Sequence, residues 1–323
     1  MDFTIPAAYD TRTVGSYLSS EIHISTRLLR ALKQHPTGIL LNGQHVTVRA
    51  LLHTGDLLQL AIEQITPAQP GAILPVAPQE DVPIVYEDED IMVCAKPPYM
   101  PTHPSHGHFT DTLANAIAAY EQARGQGNPF VFHPVNRLDR NTSGLVLIAR
   151  HALSAQRLGE AMTRGDIRKT YLALLRGAPT PEKGRIATGI RRAQESIILR
   201  EVTPLGAPDA ADALTDYHTL SVFHSPLPSL DTPLSLVCAK PLTGRTHQLR
   251  LHFAHLGTPI LGDDWYGDGI IPGILERHAL HSYALTFPHP RTGESMTLYA
   301  PLPPDLRALL PPDLDLDDQK LMV

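Results

Sequence analysis

The residues best able to do chemistry lie in one stretch, His133-Pro-Val-Asn-Arg-Leu-Asp-Arg-Asn-Thr-Ser-Gly-Leu-Val-Leu-Ile-Ala-Arg150. Asp139 is its only acid. Arg137 and Arg140 flank it, and Asn141, Thr142 and Ser143 follow. Nearby positive charge favours the charged form of a carboxylate, which suits a nucleophile or an electrostatic stabiliser better than a general acid. An Asp in such a setting also caps turns or pairs with a neighbouring Arg, and structural ion pairs outnumber catalytic carboxylates. The stretch ends in the apolar run Leu145 to Ala149, which beside Gly144 reads as a buried strand. Asp139 is therefore expected on a loop that runs into the core.

Two later blocks carry groups that such a carboxylate can use. Ile167 to Leu175 reads as a strand, whose alternation sets Lys169, Tyr171 and Ala173 on one side and Thr170, Leu172 and Leu174 on the other. Thr243-Gly244 is expected to open a helix that ends near Gly257, with Leu249, Phe253 and Leu256 as its buried stripe. Arg245, Thr246 and His247 would then occupy the first turn, where free N–H groups and the helix dipole attract anions. Arg250, a turn or more inside, is in reach of a phosphate, and Arg245 is the expected partner of Asp139. A strand Tyr is ordinarily a half-buried packing residue, and an Arg ordinarily lies on the surface over its own aliphatic stem.

Taken together and in order, three blocks tip that balance. Arg137-Leu-Asp-Arg-Asn-Thr-Ser-Gly-Leu145, Lys169-Thr-Tyr-Leu-Ala-Leu174 and Lys240-Pro-Leu-Thr-Gly-Arg-Thr-His-Gln-Leu-Arg-Leu-His252, followed by Pro259-Ile-Leu-Gly-Asp263, resemble the signature of the RluA-type RNA pseudouridine synthases. The resemblance covers roughly residues 83 to 300. It implies isomerisation of uridine to pseudouridine within structured RNA, ribosomal or transfer, with no cofactor, no metal and no obligate protein partner. It implies Asp139 as the catalytic carboxylate, with Tyr171 and Arg245 as its catalytic neighbours. Tyr171 is the candidate to assist proton loss at carbon 5 and to stack on a base. Arg137, Arg140, Lys169, Thr246, His247 and Arg250 are the implied RNA contacts. Arg137 is a candidate to fill the gap left when the target nucleotide leaves the stack. Asn136 stands where the family usually has His, and no role is assigned to it.

Two other classes compete. A noncatalytic RNA-binding protein on the same fold would be expected to have lost Asp139, Tyr171 or Arg245, and all three are present. A nucleoside or glycoside hydrolase using Asp139 usually needs a second carboxylate, and the three blocks supply only one, Asp263 and Asp264 lying beyond the helix in a Gly-flanked turn.

The elements that must position these residues divide the chain. Its 323 residues suggest two domains, and 42% hydrophobic with 19% charged residues fits a globular core. Residues 1–66 read as a small α/β module that resembles an RNA-binding module often placed before this catalytic domain. It has helical segments between Thr13 and Leu32, a cap at Ser25-Thr26, an Asn42-Gly43 hairpin between Ile39 to Leu41 and His45 to Val48, and a strand from Leu57 to Ile62. Arg27, Arg30 and Lys33 are its candidate phosphate contacts, with Arg49 beside them. Residues 67–83 are a Pro-rich linker.

Residues 84–302 form the catalytic domain, expected as α+β with a mixed, largely antiparallel sheet of the pseudouridine synthase type. Its expected strands are Ile84 to Tyr86, Ile91 to Cys94, Leu145 to Ala149, Ile167 to Leu175, Ser196 to Val202, Leu214 to Phe223, Leu234 to Ala239, His281 to Phe287 and Ser295 to Ala300. Helices are expected from Thr110-Asp111 to Arg124 and from His151 to Arg164. Residues 303–323 read as an acidic, Pro-rich and partly disordered tail.

The net charge is −6, which argues against binding nucleic acid over the whole surface. From His133 to Arg200, however, thirteen Lys plus Arg stand against five Asp plus Glu, so the binding field is local. His103, His106 and His108 sit on a Pro/Gly loop that fixes no coordination geometry. Cys94 and Cys238, each inside an apolar run, read as buried free thiols. The N-terminus lacks a signal peptide, no apolar run is long enough to span a bilayer, and the expected location is the cytoplasm.

Overall fold

A computed structural model describes residues 1–62, 73–78, 80–125, 131–225 and 232–314. The N-terminal module holds β1 (Asp2–Thr4), α1 (Val14–Ser20), α2 (Thr26–Gln34), β2 (Ile39–Leu41), β3 (Gln44–His45) and β4 (Leu57–Leu60). Thr13 and Ser25 cap the two helices, each accepting a backbone N–H three residues on. Asn42 and Gly43 both have positive φ, 51° and 80°, the geometry that an Asn-Gly hairpin turn requires. The sheet order is β1-β4-β2-β3. β1 escaped the sequence reading because it is only three residues long. The expected second hairpin strand shortens to Gln44–His45.

The rest of the chain builds one eleven-stranded sheet. In chain order it contributes β5 (Ile84–Glu87), β6 (Ile91–Lys96), α3 (Leu113–Ala123), β7 (His133–Pro134), β8 (Ser143–Ala149), α4 (Ala152–Arg164) and β9 (Arg168–Arg176). There follow β10 (Lys183–Arg192), β11 (Arg200–Thr203), β12 (Ala211–His224), β13 (Pro233–Pro241), α5 (Gln248–His255), β14 (Leu280–Pro288), β15 (Ser295–Tyr299) and α6 (Pro304–Arg307). The order is β11-β10-β12-β13-β9-β14-β8-β6-β5, with β15 on β14 and β7 on β8. Among the described residues only the β8–β14 pairing is parallel; the other strand pairs are antiparallel, as the scarcity of helical crossovers implies.

β8 is buried along its whole length, and its alternation divides the core. Val146 and Ile148 join the larger cluster, with Leu113 and Ile117 of α3 and Leu249 and Phe253 of α5. Leu145, Leu147 and Ala149 face the other way, onto Leu158 and Ala161 of α4. A period-two strand covered on both faces reads as one continuous apolar run. The parallel neighbour explains Gly144. At φ +111°, a Cβ there would stand 2.2 Å from the Ser282 carbonyl oxygen of β14, so only glycine admits the pairing of Gly144 with Ser282.

α4 is also the dock for the N-terminal module. Leu153 is part of that module's core. Gln156 accepts the Ser25 N–H at 2.8 Å and donates to the His23 carbonyl at 2.6 Å, and Arg157 donates to the Ile22 carbonyl at 3.3 Å.

Several boundaries differ from expectation for identifiable reasons. β10 was missed: Ile186 and Ile190 are its only large apolar residues, and two glycines dilute its alternation. The expected strand Ser196 to Val202 forms as Arg200–Thr203. α3 is capped by Thr112, in a reciprocal box with Asn115, rather than by Thr110-Asp111. The start of the expected tail is ordered, because Leu306, Leu309 and Leu310 at helical spacing insert into the main core, while Arg277 grips Asp305 at 2.7 Å. Its remainder, 315–323, lies outside the described residues. So do 63–66 of the expected module and 67–72 and 79 of the expected linker, but Ile73 and Val82 pack on the catalytic core, and Asn115 donates to the Leu74 carbonyl at 2.8 Å. Among the described residues, no helix is long and apolar enough to cross a membrane.

Candidate active site

Asp139 sits on the loop between β7 and β8, half-buried. Its backbone carbonyl accepts the Thr142 N–H at 3.1 Å, closing a turn. Side chains from distant segments hold that loop. Thr102 donates to the Leu138 carbonyl at 2.9 Å and accepts the Leu138 N–H at 3.2 Å. Arg277, fully buried, donates to the Asn141 carbonyl at 3.1 Å. Thr142 and Ser143 hydrogen-bond to His278 and His281 at 2.7 and 2.9 Å. Asn136 donates to the Leu145 carbonyl at 3.1 Å and accepts the Leu147 N–H at 2.8 Å. The residue to which the sequence assigned nothing thus ties the start of the motif to β8.

Lys96, the last residue of β6 and paired in register with Gly144, is the second fixed point. It is 1% exposed. Its ammonium donates to the Pro97, Met100 and Arg140 carbonyls at 2.8, 2.8 and 3.1 Å. Burial pushes Lys96 down to about 7 while the Asp139 charge acts to raise it. Three acceptors around one nitrogen are an arrangement that only the ammonium fills, so the geometry favours the charged form. Sequence reading gave Lys96 no role. A lysine ending an apolar strand is the available signal, since such a group is seldom fully buried unless partnered.

Around the Asp139 carboxylate, the structure gathers Lys96, Tyr171, His247 and Arg250, all of which feel its charge. Tyr171 comes from β9 and is buried. Burial, with a smaller effect from Asp139, raises its hydroxyl well above the usual tyrosine range, so it stays a phenol. His247 precedes α5 with φ 58°. It is 8% exposed, bonded to the Tyr266 hydroxyl at 2.9 Å, and burial lowers its pKa.

The arginines correct the sequence reading. Arg245 does not pair with Asp139: it lies on the surface and its Nε donates to the Asp212 carbonyl at 3.0 Å, while among the described residues Asp139 has no ion pair within 4.0 Å. The reason is the start of α5. The helix begins at Gln248, not at Thr243-Gly244. The Gln248 side chain folds back to accept the Arg245 N–H at 3.0 Å and the Thr243 hydroxyl at 2.7 Å, so Arg245 and Thr246 stand before the helix and are turned outward. Arg250, buried inside α5, is the arginine on which the Asp139 charge acts. It is not free to hold a phosphate, being 3% exposed and clamped to Asp263 by two bonds of 2.7 Å. Arg137 and Thr246 do meet, at 2.9 Å on the surface. Arg140 is exposed and donates to the Tyr99 carbonyl at 3.2 Å. Lys169 is partly buried beside Gly244. In the N-terminal module Arg27, Arg30 and Lys33 are exposed along α2.

Cys94 and Cys238 are buried thiols outside any disulfide, pushed up to about 12 and about 11 by burial. Asp88, Asp90 and His289 bring ligand atoms within 4.8 Å of one another, at the opposite end of β6 from Lys96. These atoms are already engaged. Asp88 bonds His289 at 2.9 Å and the Tyr86 hydroxyl at 2.8 Å; Asp90 bonds His151 at 3.0 Å and Arg291 at 2.6 Å. The cluster reads as a polar clamp joining β6, α4 and the β14–β15 turn.

The profile of the family described as RNA pseudouridylate synthase matches residues 90–255. The chain is 35% identical over 298 residues to an uncharacterized RNA pseudouridine synthase of Bacillus subtilis, YjbO, covering 92% of this chain and 98% of the relative. It is 34% identical over 245 residues to the ribosomal large subunit pseudouridine synthase D of Vibrio cholerae, covering 70% of each. Among solved structures it resembles human RNA pseudouridylate synthase domain containing 1, with a TM-score of 0.57 at 28% identity, over 79% of this chain and 97% of that one.

Proposed function

Since the chain belongs to the RNA pseudouridylate synthase family, and its enzymes are isomerases, we propose that Asp139 is the carboxylate with which it converts specific uridines of structured RNA, ribosomal or transfer, to pseudouridine. One observation carries the reading: among the described residues Asp139 is without an ion pair of its own, yet two fixed cations, Lys96 and Arg250, and the buried Tyr171 all lie within its field.

The reaction breaks the bond from N1 to C1′, turns the uracil, and joins C5 to C1′. N1 gains a proton and C5 loses one, so the atoms balance with no second reactant. Asp139 attacks the glycosidic carbon, attacks the uracil ring, or removes a ribose proton. Cations already clamped by the protein stabilise negative charge without reorganising at the moment of reaction. Tyr171, remaining a phenol, hydrogen-bonds the base and relays the C5 proton rather than holding negative charge. Exposed Arg137 and Arg140, with the half-buried Thr246 that Arg137 bonds and Lys169 beside Gly244, are suited to the RNA backbone, and the exposed basic face of α2 to a more distant phosphate. The named ribosomal substrate of the Vibrio cholerae relative favours ribosomal RNA, and with the two buried thiols outside any disulfide it supports action in the cytoplasm.

The test is tritium release from total RNA labelled at carbon 5 of uridine, comparing the wild type with Asp139→Asn. Release by the wild type alone, with unchanged melting temperatures, is the expected result. Equal release by both proteins overturns the assignment of Asp139.

A further inference from the structure

Trp265 is the only tryptophan of the chain, and it is 43% exposed. An indole left in water forgoes the burial that usually fixes so large a ring. Yet this ring is rigidly mounted. Its backbone N–H donates to Asp263 Oδ1 at 3.0 Å, as does that of Tyr266. The Arg250 guanidinium lies 4.8 Å from its centroid, and Arg250 is itself clamped by Asp263. The His247 imidazole meets it edge-on at 5.1 Å. Arg250 and His247 are two of the side chains that feel the charge of Asp139, so the indole packs on groups that belong to the electrostatic surroundings of the carboxylate.

We propose that Trp265 is the platform on which an unpaired RNA base flanking the target uridine stacks. The inference rests on the reading of the Asp139 site as a uridine isomerase. Chemistry on a base requires that base to leave its stack, which uncovers its neighbours. A held aromatic face offers an uncovered neighbour a replacement partner whatever its identity, because every base has a π face. The fixed cation against the ring adds a cation–π contact that keeps it in place. Arg137 on Thr246, adjacent to His247, is available to the phosphates of the same strand. Trp265 is thus a specificity-determining residue that holds the substrate and takes no part in bond changes.

The probe is a stem-loop transcript containing the uridine located by sequencing RNA treated with the wild-type enzyme, labelled with tritium at carbon 5. Trp265→Ala is expected to raise KM about five- to 150-fold, the range for one stacked base, with kcat within about twofold and an unchanged melting temperature. Trp265→Phe should recover most of the loss. A transcript with an abasic nucleotide at one position beside the target should be penalised by the same factor in the wild type and little in Trp265→Ala. A wild-type KM in Trp265→Ala, or abasic penalties equal in both proteins, overturns the proposal. If the wild type releases no tritium from any RNA, the isomerase reading fails instead. Trp265 fluorescence then decides the stacking on its own: quenching by total RNA upholds it, and unchanged emission at saturation overturns it.

Discussion

Arg250 and Asp263 form the ion pair on which both the stability and the chemistry of the site turn. Their side chains are 4% and 1% exposed. Asp263 Oδ2 accepts Arg250 Nε at 2.7 Å, while Oδ1 accepts Arg250 Nη2 at 2.7 Å and the Trp265 and Tyr266 N–H groups at 3.0 Å. Asp263→Asn can keep Oδ1 on the two N–H groups but turns an amide N–H toward Arg250 Nε, leaving a buried cation facing a donor. Removing one partner of a buried pair costs about 3–5 kcal/mol. In a domain of this size, each kcal/mol moves the melting temperature by about 2–4 °C, so a fall of about 6–20 °C is expected. Arg250→Met in the same chain removes the stranded charge. The double variant should therefore be more stable than Asp263→Asn alone, with a coupling of about 0.5–3 kcal/mol. It should nevertheless be inactive, having lost the cation on which the Asp139 charge acts. Guanidinium denaturation and tritium release on the four proteins of the cycle check both points. Additive destabilisation, or full activity in the double variant, would refute the reasoning.

Lys96→Met should cost about 3 kcal/mol, since three buried carbonyls lose their donor, and should lower kcat as the Asp139 loop loosens; Lys96→Arg should not rescue it, because a planar guanidinium cannot serve three acceptors around one point. A melting temperature within 2 °C of the wild type would count against this role. Burial lowers His252 and His281 to about 4, below their unfolded value of about 6.5. Between those limits the unfolded chain binds protons that the folded chain refuses, so stability is full above pH of about 6.5 and falls as pH drops toward about 4. The loss approaches about 3 kcal/mol per group. His281→Gln should flatten the melting temperature profile between pH 7 and 4.5, and a profile parallel to the wild type would contradict that account.

Much of this arrangement was legible in the chain itself. The run Leu145 to Ala149 marked the central strand, and the loop before it marked Asp139, because a two-face-buried strand and a charged turn have local signatures. The Asn42-Gly43 hairpin and the cap at Ser25 are likewise local, fixed by backbone preferences within a few residues. Tyr171 was singled out through its block, and its burial follows from the strand that carries it.

What the chain could not disclose are relations between segments far apart. Lys96 and Gly144 meet only because β6 pairs with β8, and Gly144 is required only because β14 lies parallel at contact distance. Arg277, His278 and His281 hold the Asp139 loop from more than 130 residues away. Which arginine feels the charge of the carboxylate was decided by where α5 begins: Gln248 folding back on Arg245 and Thr243 moved the helix start, sending Arg245 to the surface and Arg250 inward to Asp263. Sequence spacing lists the charges available near a site. The register of strands and the first residue of a helix, set by packing over the whole sheet, select which of them point into it.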